Sequence, residues 1–222
     1  MDPKKKNQIK IVIVGAGGFG KEVLLTLNDC NKHRKKFDVL GFIDENKSLY
    51  GKKINKKPVL GGLDWFANKK PKDVSCIIAV GDSKIRQKVV KKLEKFKIKF
   101  QTIIHPSVIC SKFVNIGEGT VIQAGSIINP DTKIGKHVQI NMDCSVAHDC
   151  TLKDFVTLAP GVHVNGENVI GEGTFLGTGA VTRDKIKIGK WSIIGAGTVI
   201  IKDAKQFSLY IGVPGKKRKN CN

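Results

Sequence analysis

From Ile104 the chain holds a six-residue register without interruption for 17 hexads, to Lys205. The first position of each hexad is Ile, Leu or Val in 15 of the 17, the exceptions being Cys110 and Thr182. A chain with about a quarter Ile, Leu and Val would place only about four there by chance. The fifth position is small or β-branched at Thr120, Ser126, Thr132, Cys144, Cys150, Thr174, Ala180, Ser192 and Thr198. The second is glycine at Gly117, Gly135, Gly171, Gly177, Gly189 and Gly195. One aliphatic residue per hexad fills the inside of one face of a triangular coil. A small residue fits beside the corner, and glycine supplies the permissive backbone expected of the turn. Three hexads close a coil of 18 residues, so 17 hexads make between five and six stacked coils that cover one another's strand edges. A sandwich of short strands would alternate with period two between loops of unequal length. It does not fit an unbroken register.

Before Ile104 the grammar changes. IKIVIV (9–14) reads as a buried strand, followed by GAGGFG and a helical pattern in which Val23, Leu24 and Leu27 share a face. VLGFID (39–44) and SCIIAVG (75–81) are further strands, and KFQTII is a last one leading out. After SCIIAVG, Ile85, Val89, Val90 and Leu93 recur at helical spacing. Alternating strands and helices predict a small parallel α/β domain. The expected division is therefore residues 1–103, residues 104–205 and a tail at 206–222.

Gly15, Gly17 and Gly20 fit GxGxxG between a strand and a helix, where helix amides can cradle phosphate. Asp44, at the end of the second strand, falls where a ribose acceptor is expected. About 95 residues is short for both halves of a dinucleotide fold, so one nucleotide diphosphate fits better than NAD or FAD. Glycines serving only tight strand–helix packing remain a third reading.

The net charge of +20, from 39 Lys+Arg against 19 Asp+Glu, first suggests nucleic acid. Only Arg34, Arg86, Arg183 and Arg218 are arginines, and no stretch interleaves aromatic and basic residues. Base readout and bidentate phosphate clamps favour Arg, so the charge reads as a lysine-rich solvated surface. Residues 1–100 carry 25 basic and 10 acidic residues, enough to steer an anionic small molecule. Six cysteines form no CxxC pair, so no metal site is expected. No apolar run approaches the length of a spanning helix. The expectation is a cytoplasmic chain with no membrane insertion and no nucleic-acid partner.

IVIVGAGGFGKEV (11–23), GFIDE (41–45), AVGDSKIR (79–86), IIHPSVI (103–109), SVAHDC (145–150) and GVPGKKRK (212–219), taken with the hexads, closely resemble one family across nearly the whole chain. It comprises the bacterial sugar acyltransferases of the sialic acid O-acetyltransferase and UDP-4-amino-sugar N-acetyltransferase type. The resemblance implies a Rossmann-like α/β domain holding a nucleotide-sugar, followed by a left-handed parallel β-helix that forms a homotrimer with acetyl-CoA in the cleft between copies. Neither the handedness nor the trimer is read from the hexads.

By motif the substrate contacts would fall on Gly17, Gly18, Phe19, Asp44, Glu45 and Gly81. Those of acetyl-CoA would fall on Asn141, Thr157, Thr178 and Ala196. At Thr157 some relatives carry His. The 18-residue period independently stacks Met142, Pro160, Thr178 and Ala196 in one column.

The family's catalytic base corresponds to His148, in SVAHDC at the third position of its hexad, with Asp149 next to it. Attack by an amine or hydroxyl on a thioester calls for a base near neutrality, and a neighbouring carboxylate fixes its tautomer. Where the family often has Glu, this chain has the shorter Asp149. His105 reads as structural, and His137 and His163 as solvated. Cys110, Cys144 and Cys150 fall on the lattice as packing residues, so no acyl-enzyme is expected. The expected activity is N-acetylation of a UDP-4-amino-4,6-dideoxy sugar by direct transfer. O-acetylation of sialic acid or N-acetylation of a GDP-perosamine-type sugar are the alternatives.

Overall fold

A computed structural model of the chain describes residues 8–33, 35–69 and 73–221. The chain divides into two compact units, one ending at Pro106 and the other starting at Ser107, three residues after the expected boundary. In the first unit β1 (Ile9–Val14) leads into α1 (Gly18–His33) and β2 (Phe37–Ile43). The short hairpin β3 (Lys53–Ile54) and β4 (Lys57–Pro58), then α2 (Trp65–Lys69), precede β5 (Val74–Ile78), α3 (Ser83–Glu94) and β6 (Lys99–Phe100). The sheet order is β2-β1-β5-β6, with all neighbours parallel. β1 is buried from Ile11 on and β5 from Ser75 on, as strands covered on both faces must be. Successive crossovers leave β1 and β5 in opposite directions, which opens a crevice at their carboxyl ends, the place where parallel sheets bind ligands.

One helix faces the sheet differently from its sequence pattern. On α3 the buried positions are Ser83, Arg86, Val90 and Leu93, whereas Ile85 is exposed. Arg86 takes the inward place because its guanidinium donates to the carbonyls of Val80 (2.9 Å) and Gly81 (3.1 Å) and to Ser83 Oγ (3.3 Å). Desolvation pushes its pKa down to about 9.

The second unit is a left-handed parallel β-helix. Each hexad contributes a two-residue strand that pairs with the strand 18 residues on, as in Gln139↔Thr157 and Thr157↔Phe175. Three sheets result. Gln139–Ile140, Ser145–Val146 and Thr151–Leu152 lie on the first, second and third respectively. From Ile122 to Ile200 every first-position residue is buried. Cys110 is exposed, contrary to expectation, because it sits in the first coil of this unit, which no earlier coil covers. The other exception, Thr182, accepts from buried Asn168 Nδ2 at 2.7 Å. Asn168 also accepts from Ile186 N (2.6 Å), so a polar first position is tolerated where a partner is built in.

Fifth-position side chains donate to the turn carbonyl 15 residues ahead: Thr120 to Gly135 (3.0 Å), Ser126 to Asn141 (2.8 Å), Thr174 to Gly189 (2.9 Å). Cys144 and Cys150 do the same to Ala159 and Asn165. At these five places the side chain is a small donor, whereas Ala180 fills the same position by size alone. The glycine argument needs correcting too. The left-handed backbone falls on the fourth position of every hexad from Gly119 (φ +71°) to Gly197 (φ +64°), and side chains occupy it at Asp131, His137, Asp143, Asp149, Phe155, Glu167, Lys185 and Trp191. Second-position glycines answer a different need: a Cβ on Gly177 would lie 2.6 Å from Ala196 N in the next coil. The expected tail is not loose. Ser208–Ile211 adds to the first sheet in parallel and Lys216–Asn220 folds back antiparallel on it.

Candidate active site

At the carboxyl ends of β1 and β5 the glycines divide by role. A Cβ on Gly15 would lie 2.5 Å from Ala79 O, and one on Gly20 would collide with Gly15 O, so these two permit strand–helix packing. Around Gly17, Gly18 and Gly81 a Cβ would meet nothing within 4 Å. Bare backbone there faces open space next to the amino end of α1, an arrangement suited to phosphate. Both acidic residues of the GFIDE motif are tied to backbone. Asp44 accepts from Ala16 N and Asn46 N (both 2.8 Å), and Glu45 accepts from Leu63 N (2.8 Å). Asp44 thus fixes the glycine loop against the end of β2. Phe19 lies half-buried on the first turn of α1.

In the second unit His148 occupies the turn between the second and third sheets. Its Nδ1 is 2.8 Å from Asp149 Oδ2, and both side chains are exposed. Asp149 holds the left-handed turn position (φ +57°), which aims its short side chain back at the ring. The hydrogen bond that His148 donates to Asp149 raises the pKa of His148 above its ordinary 6.5, with Glu167 and Asp184 adding smaller attractions for the protonated ring. With Nδ1–H donated to Asp149, Nε2 is the nitrogen able to accept a proton. Sequence reasoning missed Gly166 and Asp184, which stand 18 and 36 residues beyond His148 in the same turn column. A Cβ on Gly166 would lie 2.9 Å from His148 Nε2, and Gly166 N donates to Asp184 Oδ1 at 2.8 Å. The period that revealed the Met142 column also contained this one.

The proposed acetyl-CoA contacts lie elsewhere on the coil. Met142, Pro160, Thr178 and Ala196 stack at the turn between the first and second sheets, joined by Gly161 N to Met142 O (3.0 Å), Gly179 N to Pro160 O (3.0 Å) and Gly197 N to Thr178 O (2.8 Å). Thr178 and Ala196 are exposed. Asn141 and Thr157 are buried on the first sheet, and Asn141 Nδ2 donates to Leu158 O (2.7 Å). A single copy therefore displays the His148 turn and the Thr178 turn on two different corners.

The other histidines differ from one another. His137 is 3% exposed and stacks on Phe155 (centroids 5.4 Å apart), not solvated as expected. His163 is exposed and bonded to Ser145 Oγ (2.8 Å), and His105 Nε2 meets Asp29 Oδ2 (3.2 Å) on α1. Cys144 is buried with its thiol pKa pushed up to about 11 by desolvation, and burial also raises that of Cys150. Neither is a nucleophile at neutral pH. Among the described residues no group of three or more His, Cys, Asp or Glu is placed to hold a metal, and no helix is long and apolar enough to cross a membrane.

Comparison with known proteins joins the two units. Residues 10–93 match the PglD N-terminal domain, and residues 131–166 and 169–202 match the bacterial transferase hexapeptide (six repeats). A GDP-perosamine N-acetyltransferase of Escherichia coli is 34% identical over 83% of this chain and 82% of its own. A UDP-N-acetylbacillosamine N-acetyltransferase of Bacillus subtilis is 36% identical over 51% of each chain. Among solved structures, PerB from Caulobacter crescentus in complex with CoA and GDP-perosamine superposes with a TM-score of 0.87 at 33% identity, covering 95% of this chain and 97% of that one. The acetyltransferase domain of PglB from Neisseria gonorrhoeae, in complex with acetyl coenzyme A, gives 0.85 at 28% identity, covering 95% and 100%. The chain belongs to the hexapeptide-repeat sugar N-acetyltransferase family with a PglD-type N-terminal domain.

Proposed function

We propose that this protein is an acetyl-CoA-dependent N-acetyltransferase whose acceptor is the amino group of a nucleotide-linked sugar. The observation that carries this reading is the His148–Asp149 pair, with Nδ1 held at 2.8 Å and Nε2 turned to a glycine gap, in a chain of this family. Acetyl-CoA supplies the activated acetyl group as a thioester. Asp149 keeps the ring proton on Nδ1 and stabilises the imidazolium formed when Nε2 takes a proton from the attacking amine. That proton then serves the departing thiolate, and no acyl-enzyme is needed. The exposed Thr178 and Ala196 column takes the acyl donor, with Asn141 and Thr157 fixing its wall from the first sheet. Self-association as a homotrimer would bring that corner of one copy to the His148 corner of the next.

The nucleotide-sugar is assigned to the crevice formed by Gly17, Gly18, Phe19 and Gly81, with Asp44 and Glu45 bracing its rim. A GDP-linked sugar of the perosamine type is the first candidate, because the relative acting on it matches most of both chains. A UDP-4-amino-4,6-dideoxy sugar is the second, supported by a match to half of the chain. The test is thiol release from acetyl-CoA with GDP-perosamine, UDP-amino sugars and sialic acids offered separately. Turnover with an amino sugar that falls about 10³-fold or more in His148→Ala is expected. Retention of most activity in that variant would remove His148 from the mechanism.

A further inference from the structure

The third-position residues at the catalytic corner read His148, Gly166 and Asp184 down three successive coils. Glycine in the middle leaves a notch. The point a Cβ of Gly166 would occupy is 2.9 Å from His148 Nε2 and 3.5 Å from Asp184 Oδ1. An atom placed there, shifted slightly towards the carboxylate, lies within hydrogen-bond distance of both groups. Both are acceptors. Nε2 is unprotonated while Nδ1–H is given to Asp149. The Asp184 side chain has lone pairs left after accepting from Gly166 N at 2.8 Å. The other nearby acid, Glu167, faces Lys185 Nζ at 3.5 Å.

We propose that this notch seats the acceptor nitrogen between His148 and Asp184, and that Asp184 thereby selects an amine over a hydroxyl. The inference rests on His148 being the base. A neutral amine has two N–H groups and one lone pair. It donates one N–H to Asp184 and the other to His148 Nε2, leaving the lone pair for the thioester carbonyl. A hydroxyl has a single hydrogen, so one of the two acceptors would face an oxygen lone pair, which is repulsive. On attack the C–N bond forms and Nε2 takes its N–H proton. The C–S bond then breaks with its electrons on sulfur, and His148 returns the proton to the thiolate. The N–H held by Asp184 stays on the amide, so the products are the N-acetyl sugar and CoA thiol.

The test compares GDP- and UDP-linked amino sugars with their counterparts carrying a hydroxyl in place of the amine, on the wild type and on Asp184→Asn. The variant keeps an oxygen for Gly166 N–H but can turn a donor to the amine. In the wild type the amino sugar should bind about tenfold or more tighter than its hydroxyl counterpart. In Asp184→Asn that preference should vanish and kcat/KM for the amine should fall about 10- to 100-fold. The KM for acetyl-CoA and the melting temperature should stay unchanged, which a merely structural role for Asp184 would not allow. Equal binding of the two sugars by the wild type overturns the proposal even if the variant fails to fold. An amine-acetylating wild type whose folded variant keeps its preference overturns this inference alone. Transfer to hydroxyl acceptors only overturns it together with the reading of the enzyme as an N-acetyltransferase.

Discussion

Asp149 bears two demands that different substitutions separate. Its backbone is left-handed at φ +57°, and its carboxylate holds His148 Nδ1 at 2.8 Å. Asn adopts the left-handed region at least as readily as Asp, whereas Ala costs about 1 kcal/mol there. For a chain of this size that corresponds to a fall of about 2–4 °C in melting temperature. The kinetic order should run the other way. Asp149→Ala leaves the ring in water free to take either tautomer, and losing the orientation should cost kcat/KM about tenfold. Asp149→Asn can donate its amide N–H to Nδ1, which places the ring proton on Nε2 and blocks the base. In the serine-protease triad the equivalent change costs about 10⁴. Here the histidine side chain is 60% exposed and can escape by rotating, so about 10²–10³ is expected. Both variants should also shift the pH profile. The base works only when neutral, and Asp149 raises the pKa of His148 above 6.5, so wild-type kcat/KM rises with pH through a midpoint above that value. Without the carboxylate the midpoint moves down, and activity appears at lower pH. Thiol release measured across the histidine range, with melting curves on the same samples, reads all three quantities. An Asn variant at least as active as the Ala variant, or an Ala variant as stable as the Asn one, would refute the reasoning.

The remaining predictions probe other parts of the site and its scaffold. Gly17→Ala should fold normally yet weaken nucleotide-sugar binding if the ligand approaches that backbone, whereas Gly20→Ala should destabilise the first unit by collision with Gly15 O; titration with GDP or UDP and thermal melts separate the two. Removing Asn168 strands Ile186 N, whose 2.6 Å bond it supplies inside the coil, so Asn168→Leu should cost about 2–4 kcal/mol in urea unfolding. Thr182→Val leaves Asn168 its other acceptors but strands Asn165 N, which donates to Thr182 Oγ1 at 3.1 Å, so it should cost about 1–3 kcal/mol. Cys144, with its pKa near 11, should resist iodoacetamide at neutral pH in the folded protein, and Cys144→Ser, which keeps a donor for Ala159 O, should retain transferase activity.

What could be read from sequence differs between the two units for a physical reason. In the β-helix each residue's environment repeats every 18 positions, so interior, corner and column follow from counting. Even the second column, His148, Gly166 and Asp184, was available from the period, because a coil's neighbours are fixed by register alone. The period does not distinguish two reasons for needing glycine. Second-position glycines make room for the next coil's backbone, while the left-handed turn sits two residues later and accepts Asp, His, Phe, Glu, Lys and Trp. Sequence composition shows the first role wherever the next coil's backbone comes too close for a Cβ, as at Gly117, Gly135, Gly171, Gly177 and Gly189, and hides the second because many residues tolerate about 1 kcal/mol of strain. In the α/β unit no such lattice exists. Ile85 looked inward by its spacing, yet Arg86 is the buried residue, because two carbonyls from a turn five and six residues back are better partners for a guanidinium than apolar burial is for Ile85. The same logic governs Asp44. Its position marked it as a ribose acceptor, but both its oxygens accept backbone N–H groups, so its first task is to hold the glycine loop where Gly17 and Gly18 stay open. Motif spacing located Asp44, but only geometry shows the backbone that it braces.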